Sequence, residues 1–392
     1  MEIKPAQRIS TVKPYFFADL EKTIAELKKS NMDIIRLDMG SPDLPPNDNI
    51  IESLVTAARR PDLHGYGQSG GTSELRSAFA QYYQDRFGVN LDPDKEVLSL
   101  IGSKEGIFNL NQVLINPGDL VLLPDPCYPV YRAGAVISQA QTYAMPLLAE
   151  NGFLPDLDRI PVEVAKRAKL MWLNYPNNPT GAVAPLSFFE DVVTFAQTYD
   201  IVIAHDAPYV DVCFDDYVAP SILQVSGAKS VSIEFNSLSK TYNMAGWRVG
   251  VAVGNPEIVR LLRLIKSQMD SSHFQPIMRA AKTALLEDQS WTHSRNMVYQ
   301  RRRDIIVKTM EDIGFTIENP KASLYVWAGL PNGWKDSIGF CDLLLRDTGV
   351  SITPGIVYGE SGAGYVRISL VTPAEKLVEA MLRMKDWMKE RV

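Results

Sequence analysis

The sequence contains few of the residues that form disulfide frameworks and metal centres. Its 392 residues include four histidines and three cysteines, Cys127, Cys213 and Cys341. Three cysteines that lie this far apart argue against a disulfide framework and against a cysteine-based zinc site. The histidines also lack the spacing of metal ligands. We therefore expect reduced thiols and no metal.

Long apolar runs and blocks of one charge are also missing. No stretch reaches the roughly 18 apolar residues of a membrane-spanning helix, and the N-terminal segment lacks the apolar core of a signal peptide. Lysine and arginine number 40 against 46 aspartates and glutamates, which gives a net charge of −6. These features predict a soluble cytoplasmic protein whose main partner is neither nucleic acid nor a membrane.

The length and the order of the apolar segments predict the fold class. A chain of 392 residues exceeds the usual limit of a single core, so a large domain and a smaller one are expected. Short apolar runs alternate with helical patterns, and polar motifs follow the strand-like runs. This order predicts an α/β fold with a mostly parallel sheet covered by helices and a site along its carboxyl edge.

A polar loop at residues 237–248 contains one lysine, two serines and one arginine between two strand-like runs. The amine of Lys240 can form a Schiff base with an aldehyde, and the hydroxyls and the guanidinium can hold a phosphate dianion. The set of Ser237, Ser239, Lys240 and Arg248 therefore suits a phosphorylated aldehyde cofactor. The alternative is that Lys240 and Arg248 are solvated loop charges.

The carboxylate of Asp206 follows the buried strand-like run at residues 201–205. Burial of a carboxylate is costly unless the group is paired. A protonated pyridine nitrogen is a suitable partner, because the ion pair keeps the ring able to accept carbanion electrons. Tyr209, three residues later, is placed to reach the phenolic oxygen of such a ring. His205 is interpreted as a strand residue and not as a catalyst.

Three more motifs follow strand-like runs or lie within them. Residues 102–106 lead into a helical pattern, so the backbone amides of Ser103 and Lys104 can face a phosphate, unless this is an ordinary βα turn. The motif at residues 174–181 includes Asn178, whose side-chain amide can hydrogen-bond an oxygen substituent of such a ring. Arg367, in the run at residues 365–369, can grip a carboxylate through two parallel hydrogen bonds, unless it is a surface strand residue.

These motifs, in this order, resemble those of the class I and II aminotransferases, which share the aspartate aminotransferase fold (fold type I). The resemblance covers nearly the whole chain. It implies a large central domain at residues 47–285 that binds pyridoxal 5'-phosphate. It also implies a smaller α+β domain formed by residues 286–392 together with part of an N-terminal segment at residues 1–46. The implied reaction moves an amino group between an amino acid and a 2-oxo acid, with 2-oxoglutarate as the expected acceptor.

The resemblance also implies roles for individual residues. Lys240 would hold the cofactor and move the proton, and Arg367 would hold the substrate α-carboxylate. The backbone of Gly40 would face that carboxylate, unless it is a plain turn glycine, and Tyr128 would stack on the pyridine ring, unless it is a core tyrosine. Tyr66 would cross the interface of a homodimer to the neighbouring subunit's phosphate. The bond between Asn178 and Pro179 is expected to be cis.

Within this family the closest resemblance is to the LL-diaminopimelate aminotransferases, enzymes of lysine biosynthesis. It rests on residues 174–184, 237–255, 266–275 and 349–370, and it is weakened by departures at Cys127, Ala245, Ser272 and His273. A broad-range alanine, aspartate or aromatic aminotransferase is the main alternative. A carbon–sulfur β-lyase could use the same lysine. A non-enzymatic regulator would need an added DNA-binding domain, for which the chain has no spare residues.

Overall fold

Three β-sheets organise the chain in a computed structural model that describes residues 3–10, 12 and 16–391. The remaining residues of the predicted N-terminal segment, and Val392 at the end of the predicted C-terminal domain, lie outside this described part. The strands are β1 Ile35–Arg36, β2 Val97–Ile101, β3 Leu120–Asp125, β4 Gln141–Pro146, β5 Ala168–Asn174, β6 Val202–Asp206, β7 Ser232–Ser237, β8 Val249–Gly254, β9 Thr316–Ile317, β10 Tyr325–Gly329, β11 Val350–Ser351, β12 Thr353–Pro354 and β13 Tyr365–Ser369.

The central sheet has seven strands in the order β2-β8-β7-β6-β5-β3-β4. The neighbours from β4 to β7 pair in parallel, and β8 is antiparallel to both β7 and β2. This confirms the predicted α/β fold with a mostly parallel sheet. Asn174 pairs with Asp206 at the ends of β5 and β6, and β7 ends at Ser237, so the polar motifs meet at one edge.

Helices cover both faces of this sheet, with α4, α8 and α12 in one hydrophobic cluster and α5, α6 and α11 in the other. The helices of the described residues are α1 Gln7–Ser10, α2 Phe16–Lys29, α3 Asp48–Ala58, α4 Ser73–Phe87, α5 Ser103–Leu114, α6 Pro129–Ile137, α7 Val162–Ala165, α8 Leu186–Tyr199, α9 Ala228–Val231, α10 Leu238–Thr241, α11 Pro256–Lys266, α12 Gln275–Leu286, α13 Ser290–Asp312, α14 Ser337–Thr348 and α15 Ala374–Lys389. Local signals start some of them. The Asn255 side chain accepts from the backbone of Glu257 and Ile258 at 3.0 and 3.2 Å and caps α11.

The strands of the central sheet are buried on both faces, and alternate residues belong to different cores. On β5, Met171 and Leu173 pack into one hydrophobic cluster, whereas Leu170 and Trp172 pack into another. Because side chains alternate across a strand, a continuous apolar run fills both layers. Each fully buried side chain of this kind contributes about 1.5–3 kcal/mol.

A separate hydrophobic cluster joins the early part of the chain to the C-terminal third. Ile35 and Leu37 pack with buried residues of α13, α14 and α15, and β1 pairs in parallel with β11. The four-stranded sheet has the order β12-β13-β10-β9. The arrangement agrees with a small domain built from both ends of the chain. The boundaries at residues 46 and 285 stay predictions.

Three predicted elements differ in extent from the structure. The run at residues 34–40 predicts a short strand, but the strand is limited to Ile35–Arg36 because the chain bends at Asp38. The run at residues 321–327 predicts a strand that begins only at Tyr325, because Ser323 has a φ of 82° that strands do not adopt. The pattern from about residue 279 predicts a helix, which already begins at Gln275 with a proline in its first turn.

Candidate active site

The predicted site residues, with one exception, line a single cavity of about 460 Å³. It lies at the carboxyl ends of β5, β6 and β7, between the central sheet and the small sheets. The predicted residues in its wall are Gly40, Ser103, Lys104, Tyr128, Asn178, Asp206, Tyr209, Ser237, Ser239, Lys240, Arg248 and Arg367. The exception is Tyr66. Among the described residues no group of three or more potential ligands could hold a metal ion.

Asp206, the last residue of β6, has one carboxylate oxygen bound and one free. Its Oδ2 accepts a hydrogen bond of 2.6 Å from the Tyr131 hydroxyl, and Oδ1 is buried without a protein partner. Burial raises the pKa of Asp206 to about 6, against the opposing effect of the Tyr131 hydrogen bond. A cationic N–H aimed at Oδ1 would satisfy this oxygen and offset the cost of the buried charge.

Tyr131 is a site residue to which the sequence pattern assigned no role. Its ring is fully buried and stacks on Trp172 with centroids 4.7 Å apart and an interplanar angle of 8°. This packing fixes the hydroxyl that orients Asp206. The only signal in the sequence was its place three residues after Tyr128, at a helical spacing that turns the two rings toward each other at 5.7 Å.

Lys240 lies in the one-turn helix α10, directly after β7. The Ser237 hydroxyl accepts from the Ser239 backbone at 3.2 Å and starts this turn. The Lys240 amine donates to the carbonyl oxygen of Gly40. Burial lowers the pKa of Lys240, with further lowering by the cations Arg367 and Arg248. An amine with a lowered pKa is more readily neutral and nucleophilic.

Gly40 brings its backbone to the lysine because no side chain intervenes. A Cβ at this position would lie 2.7 Å from the Tyr325 hydroxyl oxygen. In the structure the Gly40 carbonyl contacts the lysine, and the predicted contact of its backbone with the substrate carboxylate stays a prediction. Any larger residue would have to displace Tyr325 from the cavity wall.

Hydroxyl, amide and cationic groups converge at one end of the cavity. Ser237 ends β7 and Ser239 follows it, Ser103 and Lys104 begin α5, and Arg248 also lines this end. Burial and the charge of Arg248 lower the pKa of Lys104, so two cations lie near each other. A Cβ on Gly102 would approach Arg248 Nη2 to 2.2 Å. The arrangement suits a dianionic phosphate.

Arg367 lies on β13 at the other side of the cavity, and it is only 4% exposed. Its Nη1 donates to Asn178 Oδ1 at 3.0 Å and its Nη2 donates to the Asp38 carbonyl at 2.8 Å. Its Nε is buried without a partner. The guanidinium lies 4.0 Å from the centroid of the Tyr325 ring. A buried guanidinium with no carboxylate among its hydrogen-bond partners can bind the carboxylate of a ligand.

Two tyrosines face each other between Lys240 and Arg367. The hydroxyls of Tyr209 and Tyr325 are 3.2 Å apart. Burial raises the pKa of Tyr325, but the charges of Arg367 and Lys240 outweigh it and lower the pKa overall. Tyr209 was predicted and Tyr325 was not, since a tyrosine in a strand is usually a packing residue. Tyr358, 5.0 Å from Arg367, was also missed.

The turn that carries Asn178 is fixed by hydrogen bonds to Asn174 at the end of β5. The bond between Asn178 and Pro179 is cis, as predicted. The side chain of Asn174 accepts from the Asn178 backbone at 2.7 Å and donates to the Asp206 carbonyl at 2.6 Å. His205 Nε2 lies 3.1 Å from the Tyr175 carbonyl, and Nδ1 lies 2.9 Å from Glu234. His205 is thus a buried strand residue outside the cavity wall, in agreement with its interpretation.

Tyr66 lies away from this cavity and its side chain points into solvent. The residue is 93% exposed, on a loop whose Gly65 carbonyl accepts from Gln275 at 3.1 Å. The structure does not bring it to the other predicted site residues of the same chain. Its proposed contact with a second copy remains a prediction.

Pyridoxal phosphate fits the groups that the cavity presents. Asp206 Oδ1 is free for the ring nitrogen, Lys240 for the aldehyde, and the cluster at the α5 N-terminus for the phosphate. When it is bound, this cofactor supplies an electron sink for the carbanion formed at the substrate Cα.

The raised pKa of Asp206 predicts a pH-dependent stability of the cofactor-free protein. The pKa of Asp206 is about 6 in the folded protein, against an ordinary value of 3.8, so the folded state holds the proton more tightly than the unfolded chain. The free energy of unfolding therefore falls as the pH rises from about 4 to 7 and Asp206 ionises. The loss is about 3 kcal/mol. We expect the free energy of unfolding of cofactor-free Asp206→Asn, measured in urea, to rise by this amount relative to the wild type over the same pH interval. A difference in the free energy of unfolding that does not vary with pH would contradict the proposed cost of burying the charge.

The family described as Aminotransferase class I and II matches residues 32–383. LL-diaminopimelate aminotransferase from Moorella thermoacetica is 49% identical over 383 residues, with 98% of each chain covered. The enzyme of the same name from Desulforudis audaxviator is 48% identical, again over 98% of each chain.

Solved structures agree with this family. Substrate-bound BacF from Bacillus subtilis is 39% identical with a TM-score of 0.94, covering 99% of this chain and 98% of BacF. A mutant aspartate aminotransferase from Thermus thermophilus has 26% identity and a TM-score of 0.92, covering 98% of this chain and 100% of that one. The chain therefore belongs to the class I and II aminotransferases and is an enzyme that depends on pyridoxal phosphate.

Proposed function

We propose that the enzyme transfers an amino group from LL-diaminopimelate to a 2-oxo acid, with 2-oxoglutarate as the preferred acceptor. The observation that carries the transamination chemistry is the free Asp206 Oδ1 in the same cavity as Lys240 and Arg367. The substrate is supported by relatives with the name LL-diaminopimelate aminotransferase at 44–49% identity over nearly the full chain. Such an enzyme would serve lysine biosynthesis.

The side chains of the cavity divide the chemistry among them. Arg367 holds the α-carboxylate and thereby sets the position of the Cα–H bond relative to Lys240. Lys240 would remove the Cα proton as a free amine and return it to the cofactor carbon C4′. Asp206 would keep the ring nitrogen protonated. Asn178 and Tyr209 would bind the phenolic oxygen of the cofactor, and Tyr128 would cover one face of its ring.

The phosphate end acts as an anchor. Ser237, Ser239 and Arg248, together with the backbone amides of Ser103 and Lys104, would hold the phosphate dianion of the cofactor. Because these groups would bind the cofactor and not the substrate, they should affect cofactor retention more than the rate of proton transfer.

A half-reaction experiment tests the proposed substrate. Purified enzyme with bound cofactor is mixed with one amino acid at a time in the absence of any 2-oxo acid, and the visible absorbance of the cofactor is followed. Conversion by LL-diaminopimelate but not by alanine or aspartate would support the proposal. Conversion by alanine, aspartate or aromatic amino acids but not by diaminopimelate would leave a broad-range aminotransferase. Release of pyruvate and ammonia from a cysteine-like substrate would identify a β-lyase.

We further propose that the enzyme works as a cytoplasmic homodimer in which Tyr66 reaches the phosphate of the neighbouring subunit. Its solvent-facing ring, on a loop bonded to α12, supports this assignment. None of the described helices is long and apolar enough to cross a membrane.

Loss of the Tyr66 hydroxyl should weaken cofactor binding in the other subunit. One hydrogen bond to a charged group corresponds to about 10- to 100-fold in Kd, so Tyr66→Phe should raise the Kd of pyridoxal phosphate by that factor. A mixed dimer pairs one Tyr66→Phe chain with one Lys240→Ala chain. In the site that contains Lys240, the hydroxyl of Tyr66 comes from the other chain, so this site should bind pyridoxal phosphate with wild-type affinity. Failure of mixed dimers to recover it would contradict a contribution across the interface.

A further inference from the structure

Three charged side chains of the cavity have no role in the proposed reaction. Lys104, Asp206, Lys240, Arg248 and Arg367 serve the cofactor and the α-carboxylate. The other three, Glu21, Arg36 and Asp38, lie together where α2, the end of β1 and the segment after β1 form the cavity wall.

The Arg36 guanidinium joins two carboxylates of different kinds. Nε and Nη2 donate to the two oxygens of Asp38 at 2.7 Å, and Nη2 also donates to Glu21 Oε1 at 2.7 Å. The Asp38 side chain is fully buried, whereas 57% of the Glu21 side chain is exposed. Asp38 is therefore a permanent partner of Arg36, and Glu21 is a partner that a ligand can replace at little cost.

Asp38 also places Arg36 next to the subsite for the first carboxylate. The Asp38 carbonyl accepts from Arg367 Nη2 at 2.8 Å, while its carboxylate binds Arg36. One residue thus separates two guanidinium groups that line the same cavity. A ligand in this cavity that carries two carboxylates can therefore place one against Arg367 and the other toward Arg36.

The surface beside the charged pair suits a methylene chain. Phe17 and Met39 contribute to this part of the wall, and the Met39 sulfur lies 3.3 Å from Arg36 Nη2. An apolar strip that ends in one cation and one anion matches an aliphatic chain that ends in a carboxylate and an ammonium.

We propose that Arg36 and Glu21 bind the second amino-acid head group of a diamino dicarboxylate substrate. Arg36 donates to the distal carboxylate, and Glu21 accepts from the distal ammonium, so the Arg36–Glu21 pair is exchanged for two pairs with the substrate. This assignment rests on the proposed function, in which the substrate carries an amino-acid group at each end. It makes Arg36 and Glu21 specificity-determining residues.

Four amino-acid substrates distinguish the contact with Arg36 from the contact with Glu21. LL-Diaminopimelate carries both distal groups, L-2-aminopimelate lacks the distal ammonium, L-lysine lacks the distal carboxylate, and L-norleucine lacks both. The measured quantity is kcat/KM for the half-reaction of each, followed through the visible absorbance of the bound cofactor.

The variants remove one contact at a time. Glu21→Gln removes the anion, and Glu26→Gln, on the same helix and also exposed, is its matched control. Arg36→Gln is combined with Asp38→Asn, because loss of Arg36 alone would leave the buried Asp38 charge unpaired. Glu21→Gln should lower kcat/KM about tenfold for diaminopimelate and lysine, and leave aminopimelate and norleucine unchanged. The double variant should lower it about 100-fold for diaminopimelate and aminopimelate relative to norleucine.

An equal loss with all four amino acids would mean that the pair only fastens α2 to the cavity wall, and it would overturn the proposal. Failure of the wild type to convert diaminopimelate would instead overturn the proposed function. In that case aminopimelate and lysine still test Arg36 and Glu21, because each carries one of the two distal groups.

Discussion

Replacement of Lys240 by alanine is expected to lower kcat for transamination by about 10⁴-fold or more while the protein still binds pyridoxal phosphate. The size follows from the loss of both a covalent anchor and a general base, each positioned in the cavity. The cofactor should remain bound because Asp206 Oδ1, Arg248 and the turn at α5 are unchanged. Single-turnover rates with the preferred amino acid give the first quantity, and equilibrium dialysis gives the second.

The control for this variant is Lys166→Ala, which removes an exposed lysine at the end of α7. Reduction of the wild-type enzyme with borohydride, followed by peptide mapping, should place the cofactor on Lys240. Covalent attachment at another lysine, or a Lys240→Ala variant with near wild-type turnover, would be incompatible with the proposed site.

Replacement of Arg367 by lysine is expected to lower kcat/KM for amino acids by about 10²- to 10³-fold, mainly through KM. Lysine keeps the charge but lacks the planar fork that can bind the Asn178 oxygen and the Asp38 carbonyl while it still faces a carboxylate. The contact of the guanidinium with the Tyr325 ring would also be lost. Steady-state kinetics with both the amino acid and the 2-oxo acid measure the effect.

Arg301→Lys, an exposed position on α13, is the matched control for Arg367→Lys. The absorbance of the bound cofactor should be the same in both variants, because Arg367 is not expected to hold the cofactor. If Arg367→Lys lost cofactor affinity but kept KM, Arg367 would belong to the cofactor site and not to the carboxylate subsite.

The residues predicted correctly to line the cavity share a simple signature. Asn178, Asp206 and Lys240 each follow, or end, one of three consecutive strands of the sheet. Parallel strands bring their carboxyl ends to the same edge, so the order of motifs along the chain is sufficient to bring these side chains together. Their chemical types, an amide, a carboxylate and an amine, then restrict the possible cofactor.

Residues that reach the cavity from elsewhere had no such signature. Tyr131 donates to Asp206 although the two are 75 residues apart in the chain. Tyr325 and Tyr358 lie in the C-terminal third of the chain and look like ordinary core tyrosines in the sequence. Tyr66 has a predicted role that depends on a second chain, so neither the sequence nor the fold of one chain is sufficient to place it.

The α/β order of the chain, the polar ends of its strands and the cofactor chemistry can be predicted from the amino-acid sequence, because they depend on residue type and local periodicity. Two further facts emerge only from the folded chain: which Asp206 oxygen is free, and that Arg36 and Glu21 share the cavity with Arg367. The second fact depends on the pairing of β1 with β11 and on the hydrogen bond from the Ser369 backbone on β13 to the Leu37 carbonyl, directly after β1. Contacts between segments so distant in the chain are set by the burial of whole surfaces, which no local pattern records.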